Sequence, residues 1–371
     1  MEDSREILKT HFNEIISITF YGRSGSIFLQ SLLDNHPNVV TFPGIYLQSF
    51  SDWWNLNNYN HSSEYFEKFI KDYSVLFNPE ESTKNIPGLA DFAGLTSNFH
   101  RCGENLNESI IIDKEKFIDE FYKIQSYNEV NNCITFFKKI HYALAKTLNL
   151  KVNKDLKIVY QLHSNVFNRA SFLFDNYTKN YFIHMVREPV LTAYSMSKHM
   201  KDIETPNIKS ILKTMLNFSA LPGQHNNTRA VRLEDIHLKP KKTLKKIVKF
   251  INISWSETLL ESTFLGKKWY NLSGSKFESG FNINIIKKNK LNLNDFDKSR
   301  LEFLFKKIYS KWSYKIKKKH ILLDYLYKFK IENNFFTYIK NRIFIFKIIY
   351  KLNKTDKISS ATNLNRIIKI L

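Results

Sequence analysis

The chain has 371 residues, of which 43% are hydrophobic, with two cysteines and a formal net charge of +21. This supplies core material for one large α/β domain or two smaller ones, and Cys102 and Cys133 cannot build a disulfide framework, so a reducing cytoplasm is expected. The acidic start Met1-Glu2-Asp3-Ser4-Arg5-Glu6 is expected to be neither a signal nor a transit peptide, and no run approaches the ~20 apolar residues of a spanning helix.

The first predicted element is a buried strand from Ile15 to Phe20, followed by a tight turn at Gly22-Arg23-Ser24-Gly25-Ser26. A helix then carries apolar Phe28, Leu29, Leu32 and Leu33 and ends near His36-Pro37. Such a helix begins with free N–H groups and the positive end of its dipole facing whatever the loop holds. Gly22 and Gly25 permit close backbone approach and Arg23 adds a charge, so the segment reads as an anion site. No Lys-Ser/Thr pair follows Gly25, which departs from the nucleotide-triphosphate signature.

Residues 46–150 are aromatic and lean to helix, with breaks at Asn78-Pro79 and Ile86-Pro87-Gly88. Helical spacing of Phe136, Ile140, Leu144 and Leu148 predicts a helix within 133–150. Further strands are predicted over 156–163, 181–186 and 228–233. The third strand runs into Arg187-Glu188-Pro189, with a helix starting at Pro189. The fourth leads to Glu234-Asp235 and a helix from Pro240 that turns Leu244, Ile247, Val248 and Ile251 inward and its lysines outward. Strands alternating with helices predict a P-loop-like α/β three-layer sandwich, a central parallel sheet with helices on both faces, and ligands at the carboxyl ends of its strands.

Polar residues recur where these strands end. Arg23 follows the first, His163 ends the second and Arg187 follows the third. Ser195 lies eight residues past Arg187, about two helical turns along, so both can face one phosphate.

Arg23-Ser24-Gly25-Ser26 with Leu32-Leu33-Asp34-Asn35-His36-Pro37 resembles the phosphosulfate-binding loop of the sulfotransferase family. Val186-Arg187-Glu188-Pro189 with Ser195 resembles its 3′-phosphate motif, at the family's usual spacing. Arg232-Leu233-Glu234-Asp235-Ile236 and Gly280-Phe281-Asn282 resemble a strand end and a late loop of the same family, and the likeness spans roughly residues 15–285. The resemblance implies 3′-phosphoadenosine 5′-phosphosulfate (PAPS) as sulfuryl donor and no metal. Gly22, Arg23, Ser24, Gly25, Ser26 and Ile27 would cradle the phosphosulfate, while Arg187 and Ser195 would clamp the 3′-phosphate. Arg23 would stabilise charge on the leaving group. His163 is the candidate general base, 24 residues before Arg187, where cytosolic members carry a histidine. Ile27 stands where a threonine is common, and Phe42-Pro43-Gly44-Ile45-Tyr46 has no carboxylate for the glutamate mechanism of other members.

Several residues have structural readings beside these. His184 is expected to be a core histidine, and Glu234 and Asp235 to cap or brace the fold. Trp269 and Phe277 are candidates to stack on adenine or to pack in the core. Tyr46, Phe50, Trp53 and Trp54 are candidates for a sugar-stacking wall, with aromatic core the default. The expected organisation is a 1–315 domain, with 46–150 as an acceptor-side helical insertion, and a 316–371 basic helical extension. In residues 301–371 Lys and Arg outnumber Asp and Glu by 17 to 4, enough to account for +13 of the +21. Such a tail suits an anionic surface, and the two readings are peripheral membrane contact at the inner face or a cap packed on the domain. The expected acceptor bears a hydroxyl, on a glycan or a lipid-linked glycan. Alternatives are a P-loop kinase, opposed by Ile27 and Phe28, and a nucleic-acid-binding protein, opposed by the absence of a zinc-finger or RNA-binding signature.

Overall fold

The computed structural model describes residues 11–20, 22–89, 91, 101–124, 132–163, 169–173, 178–199, 227–273, 276–286, 302, 305–315 and 369–370. In chain order they form strand β1 (Glu14–Phe20), helix α1 (Ser26–Leu33), β2 (Val39–Val40), α2 (Phe50–Leu56), α3 (Ser62–Asp72), α4 (Lys114–Lys123), α5 (Cys133–Thr147), β3 (Lys157–His163) and β4 (Lys179–Val186). There follow α6 (Pro189–His199), β5 (Thr228–Arg232), α7 (Leu233–Leu238) and α8 (Pro240–Phe250). Two short antiparallel pairs come next, β6 (Thr263–Phe264) with β7 (Lys267–Lys268) and β8 (Asn271–Ser273) with β9 (Lys276–Glu278). Helix α9 (Lys306–Lys311) and strand β10 (Lys369–Ile370) complete the set. The chain divides into two compact units, Met1–Val186 with Val231–Ile286 and Leu371, and Arg187–Ala230 with Lys287–Ile370.

The first unit is built on parallel strands in the order β4-β1-β3-β2. Every residue of β1 from Ile15 to Phe20 is buried, as a parallel strand covered on both faces requires. On one face Ile16, Ile18, Val159 and Ile183 pack against Leu29, Leu32 and Leu33 of α1 and Leu244, Ile247 and Val248 of α8. On the other, the Tyr160 ring meets Phe137 of α5 edge-on at 5.1 Å. The result is the expected three-layer α/β sandwich. Register sets Phe20 opposite both His163 and Met185, so β1, β3 and β4 end together. Because β1 is flanked on each side by a later strand, its carboxyl end lies at a topological switch point, where such sheets bind ligands.

Helices α2 to α5 share an aromatic core that includes Phe50, Trp53, Phe66, Phe69, Phe117 and Phe121, each at most 1% exposed. Phe66 and Phe121 stack at 3.6 Å, and the Trp53 indole N–H donates to Asp72 at 2.8 Å. Tyr46 is buried as well, and half-buried Trp54 stacks on Tyr65 at 3.8 Å. These aromatics are core, not a sugar-stacking wall. Trp269 likewise packs in the sheet core against Phe264, whereas the Phe277 side chain lies outside the described residues.

The end of α1 is pinned by its own carboxylate. Asp34 accepts from the Thr263 hydroxyl and from the N–H groups of Leu265 and Gly266, each at 3.1 Å. Leu265 and Gly266 form the two-residue β6–β7 turn with φ of 49° and 73°, the left-handed pair a primed turn demands. Burial raises the Asp34 pKa from 3.8 to about 6, against the lowering effect of those hydrogen bonds.

In the second unit, Arg229 and Ala230 of β5 pair in parallel with Lys369 and Ile370 of β10. Tyr309 and Trp312, in and just after α9, are fully buried. Residues 316–368, the body of the expected basic extension, lie outside the described residues. No helix among the described residues is long and apolar enough to cross a membrane.

Candidate functional site

The turn after β1 carries three left-handed residues, Gly22 at φ 86°, Arg23 at 53° and Gly25 at 85°. Two are glycines, for which this is permitted, but Arg23 holds the conformation at a cost of about 1–2 kcal/mol. Strain of this kind accumulates where backbone is shaped for a ligand. Gly25 is the N-cap of α1 and offers no side chain to the first turn, whereas Asp113 and Asn132 cap α4 and α5 through their side-chain oxygens. The N–H groups of Ser26, Ile27 and Phe28 therefore open α1 with no side-chain cap, aimed into the turn. Ser24 sits inside the turn with no solvent exposure, and its hydroxyl has no hydrogen-bond partner among the described residues. An orphaned buried hydroxyl beside uncapped amides is a donor set that fits an anionic oxygen. The Arg23 side chain is exposed, and desolvation by its surroundings lowers its pKa from 12.5.

The turn is braced from below and from the side. A Cβ on Gly25 would stand 2.4 Å from Leu233 Cδ1, so the first residue of α7 fills the space under the glycine. Arg232 donates to Asp235 at 2.7 Å and the Thr243 hydroxyl to the Asp235 carbonyl at 2.9 Å, so Asp235 joins α7 to α8 as a brace. His237 stacks on Phe28 at 4.7 Å and 3°, and its Nδ1 accepts the Asn282 N–H at 3.0 Å. Phe281 meets Phe28 edge-on at 5.7 Å. The Gly280-Phe281-Asn282 segment is thus brought to the first turn of α1.

Behind the turn lies a buried amide network. Gln30 donates to the Thr41 hydroxyl at 2.7 Å and the Phe42 carbonyl at 2.8 Å, and accepts from Gln161 at 2.6 Å. This ties α1 to β3 and to the segment leaving β2. His163 ends β3 beside Phe20, and its side chain lies outside the described residues. His184 is buried in β4 and hydrogen-bonds Thr19 at 2.9 Å, the structural role expected of it. Ile27 is half-buried and packs against the sheet core.

Arg187 and Ser195 belong to the second unit, where both are half-buried. Ser195 lies on α6, which starts at Pro189. The first turn of α6 is held by Glu188, whose carboxylate accepts the Leu191 N–H at 2.7 Å and whose carbonyl accepts the Thr192 hydroxyl at 3.1 Å. The buried Tyr309 hydroxyl donates to the same carboxylate. Burial, then the neighbouring Glu188 charge, raises the Tyr309 pKa, so this hydroxyl keeps its proton. Gln30, Gln161, Glu188, His237 and Tyr309 were not singled out as site residues from sequence. Gln30, a polar residue inside an apolar helix run, carried the one local signal.

No family model and no curated protein matches the chain. Among solved structures it is similar to the sulfotransferase domain of the Synechococcus PCC 7002 olefin synthase, at 14% identity over 82% of this chain and 96% of that one, with a TM-score of 0.44. It is also similar to the sulfotransferase domain of the curacin biosynthetic pathway, at 17% identity over 82% and 99%, with a TM-score of 0.42. A sulfotransferase of Mycobacterium avium aligns at 10% identity over 86% and 81%, with a TM-score of 0.37. In this chain itself, a turn with uncapped helix amides and an unpartnered buried hydroxyl stands at the carboxyl end of an inner strand of a parallel α/β sheet.

Proposed function

We propose that the chain is a sulfotransferase that moves the sulfuryl group of PAPS to an acceptor hydroxyl, with a carbohydrate hydroxyl favoured. The observation that carries this reading is the turn at Gly22–Ser26, where a strained cationic residue, a buried hydroxyl without a partner and an uncapped helix start converge. The same turn lacks a lysine and places Ile27 where a nucleotide-triphosphate site needs a metal-binding hydroxyl.

When bound, the donor supplies a sulfuryl group on a phosphate leaving group. The amides of Ser26 to Phe28 and the Ser24 hydroxyl would bind the phosphosulfate, and Arg23 would hold positive charge where the leaving oxygen becomes anionic. Arg187 and Ser195 would bind the 3′-phosphate that separates PAPS from ordinary adenine nucleotides. His163 would take the acceptor's proton as the new S–O bond forms and the bridging S–O bond breaks. Acceptor contacts fall to residues 46–150. The 316–371 extension would hold a cytoplasmic enzyme at an anionic membrane face, which suits a lipid-linked glycan.

Calorimetric titration tests the reading. The product nucleotide 3′,5′-ADP is expected to bind at least about tenfold more tightly than ATP with Mg²⁺. Equal or reversed preference removes the sulfotransferase reading. Radiolabelled-sulfate transfer from PAPS to panels of glycans, peptides and lipids then identifies the acceptor.

A further inference from the structure

We infer that His237 is a positioning residue of this site, clamping the Gly280-Phe281-Asn282 segment onto the first turn of α1 so that the segment forms a second wall of the donor pocket. The inference rests on the sulfotransferase reading and adds to it a residue that touches no reacting atom.

Two independent contacts converge on one buried imidazole, which is 4% exposed. The ring lies flat on Phe28, the third residue of α1, whose N–H is one of the free donors of the anion site. Its Nδ1 accepts the Asn282 N–H, so a backbone donor of the late segment is satisfied by a side chain of α7. Phe281 closes on Phe28 from the segment's own side. Phe28 is therefore held by two rings, His237 and Phe281, and the Asn282 hydrogen bond ties the first to the segment that carries the second.

The segment is itself ordered by Asn282. Its side-chain oxygen accepts the Asn284 N–H at 2.8 Å, and its amide nitrogen donates to Glu278. The turn enters at Gly280 with φ 70°, and a Cβ there would meet nothing within 4 Å. That glycine is demanded by backbone conformation, and open space lies beside it. A preformed wall beside the amides of α1 would contact the part of the nucleotide beyond the phosphosulfate, so its placement acts on donor affinity.

The test uses the full chain with 3′,5′-ADP titration and PAPS kinetics for wild type, His237→Phe, His237→Gln and Phe281→Ala. His237→Phe keeps a flat ring on Phe28 but strands the Asn282 N–H, and is expected to weaken 3′,5′-ADP binding about tenfold. His237→Gln restores an acceptor and is expected to recover affinity to within about threefold of wild type. Phe281→Ala, at a half-buried position, loosens the segment without opening the core and is expected to weaken binding by about three- to tenfold. In each weakened variant the PAPS KM rises while kcat stays within about threefold, whereas a merely structural residue would lower the active fraction and leave KM alone. Wild-type affinity in His237→Phe overturns the role of His237, whatever Phe281→Ala does, and leaves the sulfotransferase reading standing. A wild type that does not bind 3′,5′-ADP overturns both.

Discussion

Replacing Gly25 by alanine probes the geometry of the turn on which the proposed anion site depends. Two costs are separable in the structure. At φ 85° an L residue sits in the left-handed region, which costs about 1–2 kcal/mol. The new methyl would also stand 2.4 Å from Leu233 Cδ1, an overpacking of about 1–3 kcal/mol. Gly25→Ala is therefore expected to destabilise the protein by about 2–5 kcal/mol in denaturant titration. Leu233→Ala removes a side chain that is 3% exposed and is expected to cost about 2–5 kcal/mol alone. In the double variant the overpacking vanishes while the backbone strain stays, so the two effects should fall short of additivity by about 1–3 kcal/mol. Binding of 3′,5′-ADP should not recover in the double variant, because the φ penalty still moves the amides of α1. Strict additivity, or a Gly25→Ala cost below about 1 kcal/mol, refutes the close packing of Leu233 beneath the turn.

Two further outcomes follow from carboxylates away from the turn. Asp34 has a folded pKa of about 6, above its ordinary 3.8, so the native state binds the extra proton and stability falls as pH rises from about 4 to 6, then levels. Asp34→Asn loses an acceptor at a cost of about 1–3 kcal/mol but is expected to remove this slope, so its stability relative to wild type should rise by up to about 3 kcal/mol from pH 4 to pH 7; parallel stability curves would exclude the assignment. Tyr309→Phe withdraws the hydroxyl donor from Glu188, with an expected loss of about 1–3 kcal/mol. Hydrogen exchange at the Leu191 amide, which donates to Glu188, should accelerate while β1 amides keep their protection; unchanged exchange at Leu191 would show that Tyr309 does not hold the start of α6.

The strands were legible because runs of β-branched and aromatic residues announce them. β1, β3, β4 and β5 start or end within two residues of the spans read from sequence, and α1, α5, α6 and α8 stand where apolar spacing and Pro189 or Pro240 placed them. Val39–Val40 was missed because two residues carry no period, and the β8–β9 pair because three residues in each strand are too few to establish one. Gly22 and Gly25 were legible as turn residues, since glycine is the usual occupant of left-handed backbone. The same conformation at Arg23 was not, because no local signal marks a side chain forced into it. The braces were hidden for a different reason. His237 finds its partners at Phe28 and Asn282, and Tyr309 finds Glu188, contacts fixed by tertiary packing rather than by spacing. The aromatic stretch after residue 46 was legible in composition but ambiguous in purpose, and the depth at which Phe50 and Trp53 are buried decides for core.

The position of β1 between β3 and β4 has a consequence for how the protein is made. The anion turn is encoded near the amino end, yet Thr19 bonds His184, which lies 165 residues further along the chain. A nascent chain carrying the turn but not β4 lacks one flank of the strand that presents it. Contacts of such sequence separation close late and slowly, since loop entropy must be overcome before they contribute. The glycine turn is thus among the first parts synthesised and among the last to reach its final shape, so products truncated before β4 should not display it.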